Sequence, residues 1–436
     1  MSTSPALLNN GTEIRFVHAR RVWDSRGRPT VEAEVRLQGG ASGRAIVPAG
    51  ASRGTREALE LRDGGTALGG MDVMQAVAHV NGEIARTVLG QAADDQAAID
   101  ERLVELDDTP NKSRIGANAT LAVSMAVAHA AAAAHGVPLY HYLGGADATT
   151  LPLPQIQIFG GGAHAGRRTD VQDFMVVCPG ARSFTQAIEW TAEVYRHAGL
   201  LMHQRGASFG VADEGGWWPV FNSNEQALES LVIAIERAGF APGEQVAIAL
   251  DVAASEFGRG GQYKLGLDKR TLDTDGMIEL LFRWTEKFPI VSIEDPLAED
   301  DLDGFARFTQ AAGGKLQIVG DDLLVSSAAL LRHAAAAGAA NCVLLKPNQR
   351  GTLSETLQCR QAARQLGYAG IMSARSGETE DTTIVHLAIG WQVGQLKVGS
   401  FARGERMAKW NEVLRIEERL GPRGRFAGAG VLGRSR

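Results

Sequence analysis

In the stretch Ala247-Ile248-Ala249-Leu250-Asp251, four apolar residues run directly into a carboxylate. Two later stretches have the same design: Ile290-Val291-Ser292-Ile293 runs into Glu294, and Leu316-Gln317-Ile318-Val319-Gly320 runs into Asp321. Apolar runs of this length, bounded by turn residues, are typical of strands that are buried on both faces of a parallel sheet. The three stretches therefore predict consecutive strands of an α/β structure.

A carboxylate at the carboxyl end of each strand is what a (β/α)8 barrel uses to build an active site, because its chemistry sits at that face. We expect the side chains of Asp251, Glu294 and Asp321 to converge there. Three carboxylates repel one another unless a cation lies between them, and oxygen ligands favour Mg²⁺. A single acidic residue after a strand is usually a turn former or a helix cap. That alternative weakens when three consecutive strands share the feature.

The size and composition of the chain set the broad class. With 436 residues it exceeds what one core usually organises, so two domains are expected. A composition of 44% apolar and 22% charged residues, with a formal net charge of −6, gives no reason to expect a nucleic acid or membrane partner. Residues 1–10 lack the features of a secretory signal and no later run is long enough to span a bilayer, which predicts a cytoplasmic protein. The three cysteines have no metal-ligand spacing and are expected to be buried thiols.

The order of predicted elements divides the chain in two. Residues 14–37 alternate apolar and polar positions, which predicts antiparallel strands continued at 44–47, and helical spacing follows at 72–88, 94–106 and 118–135. We therefore expect an N-terminal α+β domain over residues 1–145. Strands and helices alternate from residue 151, which predicts a barrel that begins with a strand hairpin and extends over 151–436. Its basic tail at 421–436 is expected to fray.

Nine motifs carry a resemblance to a known family. They are Asp24-Ser25-Arg26-Gly27-Arg28-Pro29-Thr30-Val31-Glu32, Gly50-Ala51-Ser52, Arg56-Glu57-Ala58-Leu59-Glu60-Leu61-Arg62-Asp63, Asn111-Lys112-Ser113, Asp213-Glu214-Gly215-Gly216, Ala253-Ala254-Ser255-Glu256-Phe257, Ser292-Ile293-Glu294-Asp295, Gly320-Asp321-Asp322-Leu323 and Arg375-Ser376-Gly377-Glu378-Thr379-Glu380-Asp381. In this order they resemble the enolase family of 2-phosphoglycerate dehydratases, from about Ile14 to Leu420. The resemblance implies an enolase-type (β/α)8 barrel with an N-terminal α+β domain, and Mg²⁺ bound by Asp251, Glu294 and Asp321.

The resemblance also implies the roles of other site residues. Removing a proton next to a carboxylate makes a dianionic enolate, so such a site concentrates cations around the developing charge. Lys346 would be the general base, with a pKa lowered by two metal ions and Lys397, and Glu214 the acid that assists departure of the hydroxyl. The remaining implied roles are a carboxylate partner (Lys397), a phosphate grip (Arg375 and Ser376), a substrate-loop histidine (His164) and a ligand for a second, substrate-dependent Mg²⁺ (Ser52, on a mobile loop at 48–54).

Five departures from the family pattern lie around the expected leaving group and the mouth of the site. Ala374 stands where enolases have histidine, which removes a donor that the dehydration uses. Asp173 replaces a glutamate of the catalytic set, and retracting that carboxylate by about an ångström can cost about 10²-fold in rate. The other three are Gly160 in place of an asparagine, Ala49 and Arg53 in place of serine and threonine on the mobile loop, and the aromatic pair Trp217-Trp218.

Because the metal ligands and the base keep the family pattern, the departures favour a changed substrate. Arg53 adds a cation for a second anionic group, and Trp217-Trp218 offers either a stacking surface or plain packing. We therefore expect carboxyphosphonoenolpyruvate synthase of phosphonate (phosphinothricin-type) antibiotic biosynthesis, acting on a small phosphate or phosphonate substrate. The alternatives are an ordinary enolase in which His164 replaces the missing histidine, and a non-catalytic enolase-like binding protein. The resemblance further implies a homodimer or a larger homo-oligomer.

Overall fold

The computed structural model describes residues 11–312 and 314–432, and its N-terminal part begins with a three-stranded antiparallel sheet. In this sheet Val17 lies opposite Val35, and Ala33 lies opposite Ala45. All four side chains are buried, so the sheet has one face on the core. The strands are β1 (Ile14–Trp23), β2 (Pro29–Leu37) and β3 (Ser42–Ile46). The alternation in the sequence predicted this sheet correctly.

Helices follow the sheet, and an alanine-rich one forms the core of this part. They are α1 (Met74–His79), α2 (Ala85–Val88), α3 (Gln96–Asp107), α4 (Ala117–Ala134) and α5 (Leu139–Gly144), with a π turn at Val80–Ile84 between α1 and α2. β3 packs closely on α4 because Gly43 has no side chain; a Cβ there would lie 2.2 Å from backbone atoms of Ala126 and Ala130. By length and composition α4 resembles a membrane span, which corrects our expectation that no run is long enough, but 83% of it is buried inside the protein.

The second part of the chain contains a closed barrel. The strands of this part of the chain, eight of which form the barrel, are β4 (Thr150–Leu151), β5 (Leu153–Gly160), β6 (Asp173–Val177), β7 (Ser208–Val211), β8 (Trp217–Pro219), β9 (Ala247–Asp251), β10 (Gly258–Arg259), β11 (Gln262–Leu265), β12 (Arg270–Asp273), β13 (Ile290–Glu294), β14 (Gln317–Gly320), β15 (Cys342–Leu345), β16 (Ala369–Ser373), β17 (Gln395–Gly399) and β18 (Arg425–Phe426). β6 pairs antiparallel with both β5 and β9, and parallel pairing then runs from β9 through β13, β14, β15 and β16 to β17, which returns to β5. The predicted fold class, with its opening hairpin, is confirmed.

Helices alternate with the barrel strands. They are α6 (Phe184–Gln204), α7 (Asn224–Arg237), α8 (Thr274–Lys287), α9 (Leu302–Ala312), α10 (Ala328–Ala336), α11 (Leu353–Gln365), α12 (Thr383–Gly390) and α13 (Gly404–Leu420). Several begin at a side-chain cap: Ser183 Oγ accepts a hydrogen bond from Gln186 N at 3.0 Å, and Thr352 Oγ1 accepts one from Glu355 N at 3.2 Å.

The C-terminal tail is ordered over its described residues, and our expectation that it frays is wrong there. Arg425 and Phe426 pair with Thr150 and Leu151. Leu432 is fully buried among side chains at the amino ends of the parallel barrel strands, so the tail closes the end of the barrel opposite the strand-end carboxylates. The last residues of the tail, 433–436, lie outside the described residues, as do residues 1–10, for which no secretory signal was expected.

Candidate active site

The candidate site lies at the carboxyl ends of the barrel strands, where residues distant in the sequence line one small cavity. The cavity measures about 20 Å³, which is room for about one water molecule. Glu294 and Asp321 lie beside it, bonded to Lys397 and Lys346, whereas Arg53 is exposed on the loop at 48–54 and does not line the cavity. The other predicted site residues all line it: Ser52, His164, Asp173, Glu214, Asp251, Lys346, Arg375, Ser376 and Lys397.

Lys397 joins the ends of three neighbouring strands. Its Nζ donates to Asp251 Oδ2 at 2.7 Å and to Glu294 Oε2 at 2.8 Å, and lies 3.4 Å from Asp173 Oδ2. Asp173 and Glu294 both lie opposite Asp251 in the strand ladders, which is why one ammonium group reaches all three. Burial opposes the charge on this group, but Asp251 and Glu294 raise the pKa of Lys397 well above its ordinary value. The structure therefore holds Lys397 as a cation.

Lys346 follows β15 and forms a buried ion pair with Asp321. Gln349 Nε2 donates to the second oxygen of Asp321 at 2.8 Å, so both carboxylate oxygens have partners. Burial disfavours the ammonium ion, but the charge of Asp321 raises the pKa of Lys346 above its ordinary value. The lowered pKa that we expected for Lys346 depends on two bound metal ions as well as on Lys397, so it stays a prediction.

The three carboxylates predicted to bind metal do not meet in one cluster. Lys397 lies between Asp251 and Glu294, while Asp321 is turned to Lys346. Two other groups in the described part of the chain have ligand atoms within 4.8 Å of one another, namely His164 with Asp173 and Glu214, and Asp295 with Asp321 and Asp322. Asp295 is already engaged, because its oxygens accept the backbone N–H groups of Asp321 and Asp322 at 2.9 and 2.8 Å.

The predicted metal ligands nevertheless suit a hard divalent cation. The three ligands predicted for the first ion, Asp251, Glu294 and Asp321, offer carboxylate oxygens, and Glu294 Oε1 is buried with no hydrogen-bond partner among the described residues. Burial and the neighbouring charge of Asp251 raise the pKa of Glu294 well above its ordinary value. The carboxylates are therefore short of positive charge in spite of the two lysines, and a divalent ion would satisfy both the free oxygen and the crowded charges.

His164 lies between two carboxylates and a hydroxyl group. Its Nδ1 is 3.2 Å from Asp173 Oδ1, and its Nε2 is 3.2 Å from Ser376 Oγ and 3.7 Å from Glu214 Oε1. Burial disfavours a charged ring, but Glu214 and Asp173 raise the pKa of His164 above its ordinary value. The ring is therefore suited to act as a cationic donor beside Ser376.

The predicted phosphate grip is engaged by the loop at 48–54. Arg375 Nη2 donates to the backbone oxygen of Ser52 at 2.9 Å, and Ser376 Oγ accepts the backbone N–H of Ala51 at 3.2 Å. Arg375 also forms an ion pair with Glu57 at 3.0 Å. An anionic group that binds Arg375 and Ser376 would compete with these loop contacts.

Comparison with known proteins agrees with this geometry. The model of the enolase N-terminal domain matches residues 14–143, and the model of the enolase C-terminal TIM barrel domain matches residues 148–434. The chain belongs to the enolase family. It is 49% identical over 425 residues to Enolase 1 of Desulfitobacterium hafniense (strain Y51), and the match covers 97% of each chain. The protein is therefore an enolase-family enzyme, of the lyase class.

One departure from the enolase pattern is explained by packing. Trp217 stacks on Tyr195 with ring centroids 5.0 Å apart, and its Nε1 donates to the backbone oxygen of Tyr195 at 2.9 Å. The ring lies against Gly199, where an added Cβ would come within 2.3 Å of it. Of the two interpretations of this tryptophan, the structure supports packing rather than a stacking surface for a ligand.

Sequence analysis missed several groups that orient the enolase site. Gln172 Nε2 donates to Asp251 Oδ2 at 3.1 Å, and Asn348 Oδ1 accepts a hydrogen bond from Arg375 Nη1 at 3.0 Å. Arg406 is fully buried and donates to the backbone oxygen of Arg375 at 2.7 Å. The sequence signal that could have found these amide side chains is their closeness to predicted site residues. Gln172 precedes Asp173, and Asn348 and Gln349 follow Lys346 closely.

Proposed function

We propose that the protein dehydrates 2-phosphoglycerate to phosphoenolpyruvate. The observation that carries this proposal is that Lys346, Lys397 and Glu214 line one buried cavity, with the acidic residues Glu294 and Asp321 beside it. Similarity to a protein named Enolase 1 over nearly the whole of both chains supports this reaction over the phosphonate synthase that the sequence departures favoured.

The proposed reaction needs a base and an acid at adjacent carbon atoms. Lys346 takes the proton from the carbon next to the substrate carboxylate. The electron pair left behind forms the new double bond as the hydroxyl group leaves the neighbouring carbon, and Glu214 donates a proton so that this group departs as water. His164, whose ring lies 3.2 Å from Ser376 Oγ, donates to the phosphate or to the departing oxygen, and Asp173 orients that ring.

Cations stabilise the second negative charge that develops on the substrate carboxylate. Lys397 binds this carboxylate, and Arg375 with Ser376 binds the phosphate once the loop at 48–54 has released them. Mg²⁺ on Asp251, Glu294 and Asp321 would supply further stabilisation of the dianion and would take up the Asp321 charge that favours a proton on Lys346. We propose Ser52 as a ligand of a second, substrate-dependent Mg²⁺.

The proposal is tested by following phosphoenolpyruvate formation from 2-phosphoglycerate by ultraviolet absorbance at saturating Mg²⁺. We expect a kcat in the usual enzyme range of about 1–10³ s⁻¹ for the native protein. Lys346→Ala should lose at least about 10²-fold, the lower end of the contribution of a general base. The matched control is Lys315→Ala, which removes an exposed lysine at the opposite end of the barrel and should leave kcat unchanged. A silent native protein would refute the proposal.

Carboxyphosphonoenolpyruvate synthase is the second candidate, favoured by the missing donor at Ala374 and by the exposed cation Arg53. Its test is product formation from phosphoenolpyruvate and phosphonoformate, or the nucleotide conjugate of phosphonoformate, followed by ³¹P NMR. This candidate predicts no turnover of 2-phosphoglycerate and a new phosphorus resonance that weakens in Arg53→Ala. No turnover in either assay would favour the third candidate, a non-catalytic binding protein.

Assembly, location and domain division also remain proposals. We propose a homodimer or larger homo-oligomer in the cytoplasm that binds a small phosphate or phosphonate substrate and neither nucleic acid nor membrane, by analogy with the enolase family. We propose two domains, at 1–145 and 151–436, and the two family models, which meet between residues 143 and 148, support this division. Light scattering after size-exclusion chromatography measures the oligomeric state.

A further inference from the structure

A buried glutamine contacts one predicted catalytic carboxylate and the turn that carries another. Gln157 lies on β5 and is 1% exposed. Its Nε2 donates to Asp173 Oδ1, and its Oε1 accepts the backbone N–H of Gly216 at 2.9 Å. Gly216 closes the turn that carries Glu214. The amide nitrogen faces an acceptor and the amide oxygen faces a donor. The side chain can therefore bind in only one orientation.

This contact decides which oxygen of Asp173 is left to face Lys397. His164 Nδ1 also lies 3.2 Å from Oδ1, so two nitrogen atoms contact that oxygen. Oδ2 is buried, makes no hydrogen bond with any described residue and lies 3.4 Å from Lys397 Nζ. Gln157 and His164 together therefore present Oδ2 to the reacting groups.

Two glycines provide the space that the Gln157 amide occupies. A Cβ at Gly216 would lie 2.3 Å from Gln157 Oε1. A Cβ at Gly160 would lie 3.3 Å from the same oxygen and 2.5 Å from the Cβ of Ala212. Gly160 is the position where enolases have asparagine. Two departures from the family pattern, Gly160 and Asp173, therefore lie next to the side-chain amide of Gln157.

We propose that Gln157 is a positioning residue that compensates for the short side chain at Asp173. An aspartate at this position ends one methylene group nearer its own strand than the glutamate of other enolases does, and the long glutamine on the neighbouring strand reaches it there. The proposal deepens the dehydration proposed above and rests on it. On this proposal the side-chain lengths at positions 157 and 173 are matched, so a change at one position alone should disturb the site.

The test shortens the side chain at position 157 by one methylene group and lengthens the side chain at position 173 by one. We would compare Gln157→Asn, Asp173→Glu and the double variant, measuring kcat and KM for 2-phosphoglycerate and the urea midpoint of unfolding. Each single change should lower kcat by about 10- to 10²-fold, as misplacement by an ångström does, with a smaller change in KM. In the double variant kcat should recover at least about tenfold over the weaker single variant. A double variant whose loss is the product of the two single losses would overturn the proposal.

A second glutamine on the same strand is the matched control. Gln155 is equally buried, but its Nε2 donates to Gln395 at 3.0 Å and it does not line the cavity. Gln155→Asn should lower the urea midpoint and leave kcat unchanged. If Gln157→Asn behaves in the same way, Gln157 is merely structural and the proposal is wrong.

The urea measurements separate this proposal from the proposed function. If the native protein is silent with 2-phosphoglycerate, the proposed function fails, and the unfolding midpoints still decide whether positions 157 and 173 are matched. A double variant with a midpoint above that of both single variants supports the matched pair. A midpoint lowered by the sum of the two single shifts overturns it.

Discussion

His164 Nε2 lies 3.2 Å from the hydroxyl oxygen of Ser376, two residues beyond Ala374. The histidine comes from the turn Gly162–Ala165 and the serine from the segment after β16, so two separate parts of the barrel supply this contact. An imidazole therefore lies close to the position where other enolases carry their additional histidine. This relationship supports the ordinary enolase reaction in spite of the missing side chain at position 374.

Replacing His164 by alanine should lower kcat for 2-phosphoglycerate by about 10²–10⁴-fold, the usual contribution of a positioned acid or base. The loss follows because the ring is the donor next to Ser376 and the partner of Glu214. His333→Ala is the control, since His333 is exposed on α10. Steady-state rates at saturating Mg²⁺ measure the effect, and a loss of less than tenfold in His164→Ala would contradict the role of this ring.

Restoring the family residue with Ala374→His should not increase the rate, because His164 already supplies the donor. Ala374 is 6% exposed and borders a cavity of about 20 Å³, so an imidazole there must displace its neighbours. We expect kcat to stay equal or to fall. A gain of about 10²-fold, the smallest usual contribution of an acid or base, would mean that the native site lacks this donor and would favour the second candidate.

Replacing the Glu294 carboxylate by a neutral amide tests the metal site. Glu294→Gln should weaken Mg²⁺ binding by more than about tenfold, since loss of a ligand costs at least as much as loss of a group that orients one. Isothermal titration calorimetry with Mg²⁺ alone measures this without relying on turnover. The control is Glu279→Gln, which changes an exposed carboxylate on α8. Equal affinities in the native protein and Glu294→Gln would exclude Glu294 as a ligand.

Trp217 should contribute to stability rather than to substrate affinity. Trp217→Ala removes the ring that stacks on Tyr195, and we expect a loss of about 3 kcal/mol in the free energy of unfolding. The KM for 2-phosphoglycerate should change by no more than about a factor of two, because the ring has a packing role only. Trp23→Ala is the control, because Trp23 is 51% exposed on β1 and should cost far less. A raised KM with unchanged stability would support the stacking surface instead.

A buried histidine should make the protein less stable in acid. Burial, reinforced by repulsion from His129, lowers the pKa of His386 to about 3 from its ordinary value of 6.5. Below pH 6.5 the unfolded chain binds a proton that the folded protein excludes, so the free energy of unfolding falls as the pH drops. Integrated from pH 7 to pH 5, this single group costs about 2 kcal/mol. The charged or aromatic groups around it are His129, Tyr140, Asp381, Glu412 and Arg419.

Urea unfolding of His386→Gln at pH 7 and pH 5 checks this expectation. The variant should lose about 2 kcal/mol less than the native protein over this interval, because glutamine does not titrate. In His333→Gln, which changes an exposed histidine, the pH dependence should match that of the native protein. Equal losses in His386→Gln and the native protein would contradict the assignment.

The sequence predicted the barrel because its signal is local. The apolar runs before Asp251, Glu294 and Asp321 mark buried strands, and their carboxylates must meet at one face once the strands are parallel. The position of most predicted site residues around one cavity follows from that rule. The loop at 48–54 does not follow from it, because the barrel sheet does not position this loop; the structure brings Ser52 to the cavity and leaves Arg53 exposed.

The sequence did not predict which residues of the site form ion pairs. Whether Asp321 turns to a metal or to Lys346 depends on distances of a few ångströms between separate strands, and the ion pair with Asp321 raises the pKa of Lys346. The contact of Arg375 with the backbone of Ser52 is likewise decided by the path of a loop.

The sequence by itself therefore determined the family, the barrel and the set of residues at its carboxyl end, because periodicity and motif order are properties of the chain. Only the tertiary structure decided which of those residues pair, that Trp217 packs on Tyr195, and that Gln157 reaches Asp173. The physical reason is that hydrogen bonds and ion pairs depend on separations below about 3.5 Å. Packing sets such separations between strands, and no spacing along the sequence records them.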